Sequence, residues 1–128
     1  MQDKNTICAI STPPGNGAIA IIRLSGNQAL SILDSVFTPI KQQSADQFSA
    51  NSIHLGTLND GDQLIDEVLV SIFKTPHSYT GEDLAEISCH GSSFIQQKIM
   101  QLLIDKGART ADPGEFTMRA FENGKMDL

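Results

Sequence analysis

The polar residues of one short stretch, Ser78–Gly91, are of types that could bind a ligand. Its second half, Leu84–Cys89, has the alternating pattern of a strand, which places Glu86, Ser88 and His90 on one face. A carboxylate there accepts two parallel hydrogen bonds from an N–C–N donor edge, as on a pterin or guanine ring. The pattern alone favours the alternative, in which Glu86 faces solvent or forms a salt bridge.

Of three cations elsewhere in the sequence, the pattern makes only Arg23 a candidate for binding an anion. Arg23 is the single charge in the apolar run Ala18–Leu24, and a guanidinium suits bidentate capture of a carboxylate. The pattern leaves this role and a structural ion pair equally open. Glu115 and Arg119 are spaced i,i+4, which is typical of a solvated helix face. Lys125, taken singly, is predicted to be a surface lysine that is free to project.

Several kinds of site are excluded or weakly supported by the motifs. Gly15–Ala20 matches G-x-G-x-x-A, but a strand follows it instead of the helix that dinucleotide binding requires. The sequence contains no G-x-x-x-x-G-K-[ST], so it has no P-loop. His54, His77 and His90 lack metal-ligand spacing, and we predict neither a metal site nor a catalytic residue. Gly91 precedes a predicted helix, where His90 would lie near an anion site or act as a cap or core histidine.

Composition indicates one domain that is not a non-specific nucleic-acid binder. The chain has 128 residues and a formal net charge of -6. Cys8 and Cys89 lack disulfide or metal spacing and are expected to be buried thiols in a reducing compartment. Residues Met1–Asn5 lack the pattern of a signal peptide, and no apolar run is long enough to span a membrane. These features predict a soluble cytoplasmic protein.

The order of elements predicts an α+β fold with a mixed β-sheet flanked by helices. The expected strands are Thr6–Ile10, Ala18–Leu24, Ile53–Leu58, Ile65–Phe73, Leu84–Cys89 and Ala108–Ala111, with a hairpin turn at Asn59–Asp62. The expected helices run from a cap in Ser25–Asn27 to Phe37, from Ser92 or Ser93 to just before Gly107, and over Glu115–Glu122. The second strand is too apolar for half exposure and is expected to be central, and Phe94 is expected to support the buried stripe of the second helix.

Three groups of motifs, taken together, resemble a known family. They are Thr12–Gly15 with Ile22–Gly26, Ser78–Asp83 running to Cys89–Gly91, and Pro113–Thr117 with Arg119–Phe121 and Asn123–Leu128. In this order and spacing they closely resemble the N-terminal domain of the MnmE (TrmE) family of tRNA-modification GTPases. The resemblance covers essentially the whole chain, residues 1–128, and the third group is the most specific.

The resemblance implies a fold like the folate-binding domain of tetrahydrofolate-dependent aminomethyltransferases. It implies binding of a reduced one-carbon folate (5-formyl- or 5,10-methylene-tetrahydrofolate), used to modify C5 of the wobble uridine of certain tRNAs. It also implies homodimerisation through this domain and work shared with a flavoprotein partner, MnmG. The helical and GTPase domains of the family, with their GTP, Mg and K, are absent from the sequence, so we expect no GTP hydrolysis by this chain.

The resemblance also assigns the site residues. Matched motif by motif, Arg23, Glu86 and Lys125 are folate contacts, with Glu86 for the pterin and the two cations near its more polar part or the glutamate tail. Whether all three converge on one cavity, or the lysine comes from a second subunit, stays open. Further residues that are candidates for lining the pocket are Tyr79, His90 and Arg119.

Two other functions fit the sequence as alternatives. One is a stand-alone tetrahydrofolate-dependent one-carbon transferase, which would need a catalytic carboxylate and a substrate pocket within 128 residues. The other is a pure dimerisation or interaction module, in which the polar row on the Leu84–Cys89 strand is merely solvated.

Overall fold

Seven strands form one sheet, and two of the three α-helices pack against it. The computed structural model describes residues 5–41 and 44–125, without the side chain of Asp46. In chain order the elements are β1 (Ile7–Ile10), β2 (Ile19–Ser25), α1 (Ala29–Val36), β3 (Phe37–Pro39), a 3-10 turn (Ala45–Gln47), β4 (Ser52–Asp60), β5 (Gln63–Phe73), β6 (Leu84–His90), α2 (Ser93–Asp105), β7 (Arg109–Thr110) and α3 (Glu115–Glu122).

The strand order places β6 in the middle of the sheet. The order is β3-β4-β5-β6-β2-β1-β7, and all neighbours are antiparallel except β1 and β7. The mixed sheet and the α+β class are therefore confirmed. The β4–β5 hairpin is also confirmed, and its turn consists of Gly61 and Asp62, two residues shorter than the predicted Asn59–Asp62. The register of β2 on β6 pairs Arg23 with Glu86, so the two predicted site residues are cross-strand neighbours.

The hydrophobic core lies between one face of the sheet and the helices α1 and α2. Ala20, Ile22 and Leu24 of β2 point into it. The strand is interior, as predicted, but the expectation that it would be buried on both faces is wrong, since Ile19 is 66% exposed. The reason is that α1 and α2 cover a single face, so alternate residues of β2 point away from them.

The opposite face of the sheet, called here the open face, carries a mixture of aliphatic and polar side chains. The paired registers bring residues of β4, β5, β6 and β2 onto it in successive rows. Its members include Ile53 and Leu55 of β4, Glu67, Leu69 and Ser71 of β5, Glu86, Ser88 and His90 of β6, and Ile19, Ile21 and Arg23 of β2. The alternation that was predicted for β6 is confirmed, because Ala85, Ile87 and Cys89 are buried on the core side.

Three local predictions are wrong, each because tertiary contacts override the local signal. The helix α1 is capped by Gln28, without a side-chain cap bond, while Ser25 ends β2. Phe37 begins β3, an edge strand that the sequence pattern did not reveal. Phe94 is exposed on α2, where the buried Gln96 takes the inward position and donates to the carbonyl oxygens of Gly15 and Gly91.

The remaining helix boundaries agree with the sequence. Ser92 caps α2, Gly107 follows its end with a positive φ, and α3 spans Glu115–Glu122 as predicted. Within residues 5–41 and 44–125, no helix is long and apolar enough to cross a membrane. Met126–Leu128, the end of the third motif, lie outside the described residues.

Candidate functional site

The centre of the candidate site is an ion pair between neighbouring strands on the open face. Nε of Arg23 donates to Oε2 of Glu86 at 2.8 Å, and the two side chains are 30% and 25% exposed. Among the described residues, neither Oε1 of Glu86 nor the two Nη groups of Arg23 make a hydrogen bond. The pair is therefore held in register by the sheet and still presents one acceptor and several donors.

Tyr79 forms a wall beside this pair. The guanidinium carbon of Arg23 lies 5.1 Å from the centroid of the Tyr79 ring, which is a cation–π distance. The hydroxyl groups of Tyr79 and Thr117 lie 2.9 Å apart, so the loop that carries the tyrosine is bonded to α3. The structure thus places Tyr79, one of the candidate lining residues, against the predicted arginine.

The same loop contacts the end of α3 through Gly81. Gly81 has a φ of +81°, and a Cβ added there would lie 2.7 Å from Cβ of Asn123 and 3.4 Å from Cγ of Lys125. Only glycine allows both the backbone angle and this close approach. Nδ2 of Asn123 donates to the carbonyl oxygen of Thr80 at 2.8 Å, which fixes the contact.

Lys125 is less free than the sequence suggested. Gly124 has a φ of +73°, and its N–H donates to the carbonyl oxygen of Phe121 at 3.0 Å. The N–H of Lys125 donates to the carbonyl oxygen of Ala120 at 2.8 Å. This is a Schellman motif, which satisfies the last carbonyl groups of the helix. The backbone of Lys125 is therefore fixed, while its exposed side chain begins beside Gly81, in the same chain as Arg23 and Glu86.

Arg119 is a buried structural residue, and the prediction that it lies on a solvated helix face is wrong. It is 4% exposed, and Nη1 donates to both carboxylate oxygens of Glu82 at 3.1 Å. Nη2 donates to the carbonyl oxygen of Asn5 and to Glu115. The face of α3 that carries Arg119 packs against the loop that follows β5. The guanidinium is therefore hydrogen-bonded to internal partners and is not accessible to a ligand.

Two hydroxyl groups extend this buried network into β2. Oγ of Ser25 donates to Oε1 of Glu82 at 2.9 Å and lies 2.7 Å from Oγ1 of Thr80. The loop between β5 and β6 is thereby bonded to both β2 and α3. Tyr79, which lies in this loop, is held between Arg23 and Thr117, in the first turn of α3.

Glu115 carries the strongest electrostatic perturbation near the site. The pKa of Glu115 is lowered to about 2, mainly by a hydrogen bond from Arg109. Burial raises this pKa, while the hydrogen bond from the N–H of Asp112 and the charge of Arg119 lower it further. This carboxylate closes the first turn of α3. It is a structural ion pair rather than an acid–base group.

His90 lies at the other end of β6, four residues from Glu86. Its Nδ1 is 2.7 Å from Oδ1 of Asp66, and its backbone N–H donates to Oδ2 at 2.8 Å. The ring borders a cavity of about 230 Å³ that Ile19 and Leu69 also line. Because strand residues rise about 3.3 Å each, the structure does not bring His90 to the Arg23–Glu86 pair.

The start of α2 is already capped, and this weakens the prediction of an anion site there. Oδ1 of Asn16 accepts the N–H of Ser93 at 2.7 Å, and Oγ of Ser92 accepts that of Ile95 at 3.1 Å. Beside this cap the N–H of Gly17 donates to the carbonyl oxygen of Gly91, and the N–H of Gly91 donates to that of Ala18. The glycine-rich loop therefore packs against α2 and leads into a strand, as predicted from its context.

Burial disfavours the thiolate form of the two cysteines. Burial raises the pKa of both the Cys8 and the Cys89 thiol to about 11. Both lie on the core side of the sheet as free thiols. Within the described ranges 5–41 and 44–125, no three His, Cys, Asp or Glu side chains are grouped so that they could hold a metal ion.

Sequence reasoning missed Asp66, Glu82 and Asn123, and only the first had a detectable signal. Asp66 shares the inward phase of β5 with Val68 and Val70, so a buried carboxylate with a specific partner could have been inferred. The partners of Glu82 and Asn123 come from elements 37 and 43 residues away along the chain. No local pattern reports such contacts.

Comparison with known proteins identifies relatives over the full chain. The family model described as "GTP-binding protein TrmE N-terminus" matches residues 6–125. A protein named tRNA modification GTPase MnmE from Flavobacterium johnsoniae is 56% identical over 128 residues, which is 100% of this chain and 28% of the relative. The protein of the same name from Flavobacterium psychrophilum is 53% identical, over 97% of this chain and 27% of the relative. The one from Bacteroides fragilis is 54% identical, over 99% of this chain and 27% of the relative. The chain thus spans little more than a quarter of the length of these curated relatives.

Proposed function

Because this chain belongs to the family of TrmE N-terminal domains, we propose that it binds a reduced folate for a tRNA-modifying protein. In that protein the folate would supply the one-carbon unit that is added to C5 of the wobble uridine. The observation that carries the proposal is the Arg23–Glu86 pair on the open face, and Lys125 lies against Gly81 of the loop whose Tyr79 contacts Arg23. By the same reasoning, the fold would be related to the folate-binding domain of tetrahydrofolate-dependent aminomethyltransferases.

The available atoms of the ion pair fit the pterin ring of a folate. Oε1 of Glu86 is an acceptor beside Oε2, and a pterin offers two N–H donors on one edge. Arg23 fixes the orientation of the carboxylate through a 2.8 Å hydrogen bond. When bound, the folate supplies the one-carbon unit, and Glu86 with Arg23 would orient the ring that carries it.

We assign the two cations to different ends of the ligand. Arg23 contacts the carboxylate proposed for the pterin, so it would act at the ring. Lys125 follows α3 and its side chain begins beside Gly81, without a contact to the ion pair among the described residues, so it would act on the glutamate tail. This assignment uses a single chain and requires no lysine from a second subunit.

Calorimetry with 5-formyltetrahydrofolate tests the proposal. We expect wild type to bind and Glu86→Ala to lose at least ten-fold in affinity, because the pterin edge then lacks its charged acceptor. Glu122→Ala, which removes an exposed carboxylate from α3, serves as the control and should bind like wild type. Absence of binding by wild type at millimolar ligand would refute folate binding, and unchanged affinity in Glu86→Ala would refute the pterin assignment.

The charge of the tail gives a second test. If Lys125 binds the glutamate tail, the affinity for 5-formyltetrahydrofolate weakens as ionic strength rises, because exposed charges are screened. The Lys125→Ala variant should bind more weakly and show a smaller salt dependence. An affinity that does not change between low and high salt would argue against cation contacts with the tail.

Self-association is the second part of the proposed function. Exposed Ile19, Leu55 and Leu69 on the open face are supporting observations, because aliphatic groups in one region of a surface favour an interface. We propose that this face contributes to a homodimer. An interaction module without folate binding is the alternative, and the calorimetric experiment distinguishes the two.

The remaining activities would belong to the whole protein. A flavoprotein of the MnmG type would be the partner and tRNA the substrate of the complex, while GTP, Mg and K would bind outside this chain. The formal net charge of -6 is consistent with RNA contacts made mainly by other parts of the complex. Buried free thiols at Cys8 and Cys89 suit a reducing compartment such as the cytoplasm.

A further inference from the structure

We infer that Asn123 is a positioning residue that places Lys125 at the proposed folate tail site. The inference rests on the proposed function, because Lys125 matters here only as a contact to the ligand. Asn123 itself is the C-cap residue of α3, and its side chain leaves the helix to bond the carbonyl oxygen of Thr80 at 2.8 Å. It is thus bonded to the loop that carries Tyr79.

The first step of the argument is that Lys125 has little backbone freedom relative to Asn123. A single residue, Gly124, separates them along the chain, and the Schellman motif fixes the N–H groups of Gly124 and Lys125 to carbonyl groups of α3. Whatever orients Asn123 therefore also orients the start of the Lys125 side chain.

The second step is that Asn123 connects this turn to the loop at a defined point. Cβ and Cγ of Asn123 and Cγ of Lys125 all lie against Gly81, at distances that leave no room for a side chain there. Thr80, which accepts the bond from Asn123, is directly preceded by Tyr79, the residue that faces Arg23. The amide thereby sets the spacing between the lysine and the Arg23–Glu86 pair.

The third step is that other contacts hold α3 in place without this bond. The Arg119–Glu82 ion pair and the contact between Tyr79 and Thr117 attach the same helix to the same loop. Asn123→Ala should therefore fold, with α3 docked, while the turn that bears Lys125 gains freedom. The expected consequence is a loss of ligand affinity rather than a loss of structure.

Calorimetry with two ligands tests this role in the whole chain. One ligand is 5-formyltetrahydrofolate and the other is tetrahydropterin, which has the ring but no glutamate tail. We expect Asn123→Ala to weaken binding of the folate about three- to ten-fold, as for one hydrogen bond, and to change binding of the tailless pterin less than two-fold. Gln97→Ala, which removes an exposed amide from α2, is the matched control and should change neither.

A double-mutant cycle separates positioning from general destabilisation. In the Lys125→Ala background, the Asn123→Ala change should cost less than two-fold for the folate, because the residue it positions is gone. Equal losses for both ligands, independent effects of the two substitutions, or no effect of Asn123→Ala would each overturn the inference. Failure of wild type to bind either ligand would instead refute the proposed function, and this role with it.

Discussion

At the scale of single residues, the site depends on Gly81, where the loop between β5 and β6 touches the end of α3. Its φ of +81° lies in the left-handed region, and an added Cβ would meet Asn123 at 2.7 Å. Gly61, in the β4–β5 turn, has a similar φ of +59° but no atom within 4 Å of an added Cβ. Comparing alanine substitutions at these two glycines therefore separates the free-energy cost of the positive φ from the cost of steric overlap with Asn123.

Substitution at these glycines should destabilise the fold to different extents. Gly61→Ala should lower the free energy of unfolding by about 1 kcal/mol, the cost of the left-handed conformation. Gly81→Ala should lower it by about 2–4 kcal/mol, since overlap with Asn123 is added. Urea denaturation of both variants measures this difference. Equal losses would show that the loop can move away from α3 without cost.

The proposed site residues were assigned from the sequence only through the motifs that resemble a known family. Pattern alone left Arg23 and Glu86 between structural and functional roles, because their pairing depends on the register of β2 on β6. Register is set by the buried face and the turns of the whole sheet. The bond from Asn123 to Thr80 joins residues 43 positions apart, and no local pattern predicts it.

At the scale of elements, α3 shows what local signals can and cannot determine. Its bounds agree with the sequence because turn residues precede it and Asn123 and Gly124 close it. Its buried side does not follow from local spacing, since the i,i+4 pair of Glu115 and Arg119 looks like a solvated face. The inward direction is decided by Glu82, which lies in a distant loop.

The ion pairs of α3 should make stability depend on acid pH. The pKa of Glu115 is lowered from 4.5 to about 2 in the folded chain, first by the hydrogen bond from Arg109. Its stabilising contribution is therefore complete above about pH 4.5 and is lost as the pH falls toward 2. Urea midpoints of wild type and Glu115→Gln should differ most near neutral pH and converge in acid. A difference that stays constant from pH 6 to pH 2.5 would contradict this account.

At the scale of the whole molecule, the fold has one covered and one open face. The predicted α+β class and mixed sheet are confirmed, but the sequence could not show that both packing helices lie on the same side. That arrangement leaves Ile19, Leu55 and Leu69 exposed, although the apolar runs that contain them suggested burial. Exposure of these residues supports the proposed self-association.

A charge on the open face should prevent self-association. We expect Leu69→Lys to shift the protein to monomer in sedimentation experiments, because a buried lysine without a partner is costly. Leu64→Lys is the matched control, since Leu64 is also exposed but lies beside the β4–β5 turn. A monomeric wild type at high concentration, or equal effects of the two substitutions, would exclude this face as the interface.

The outermost strands determine how two copies can meet. On one side of the sheet β3 has three residues and ends at Pro39, and on the other β7 has two residues. Exposed strand edges template continuous intermolecular sheets, and short or proline-containing edges suppress this. We therefore expect two copies to meet through the broad surface, where side chains rather than backbone amides are in contact. Such contact produces a closed pair of limited size and disfavours an extending fibril.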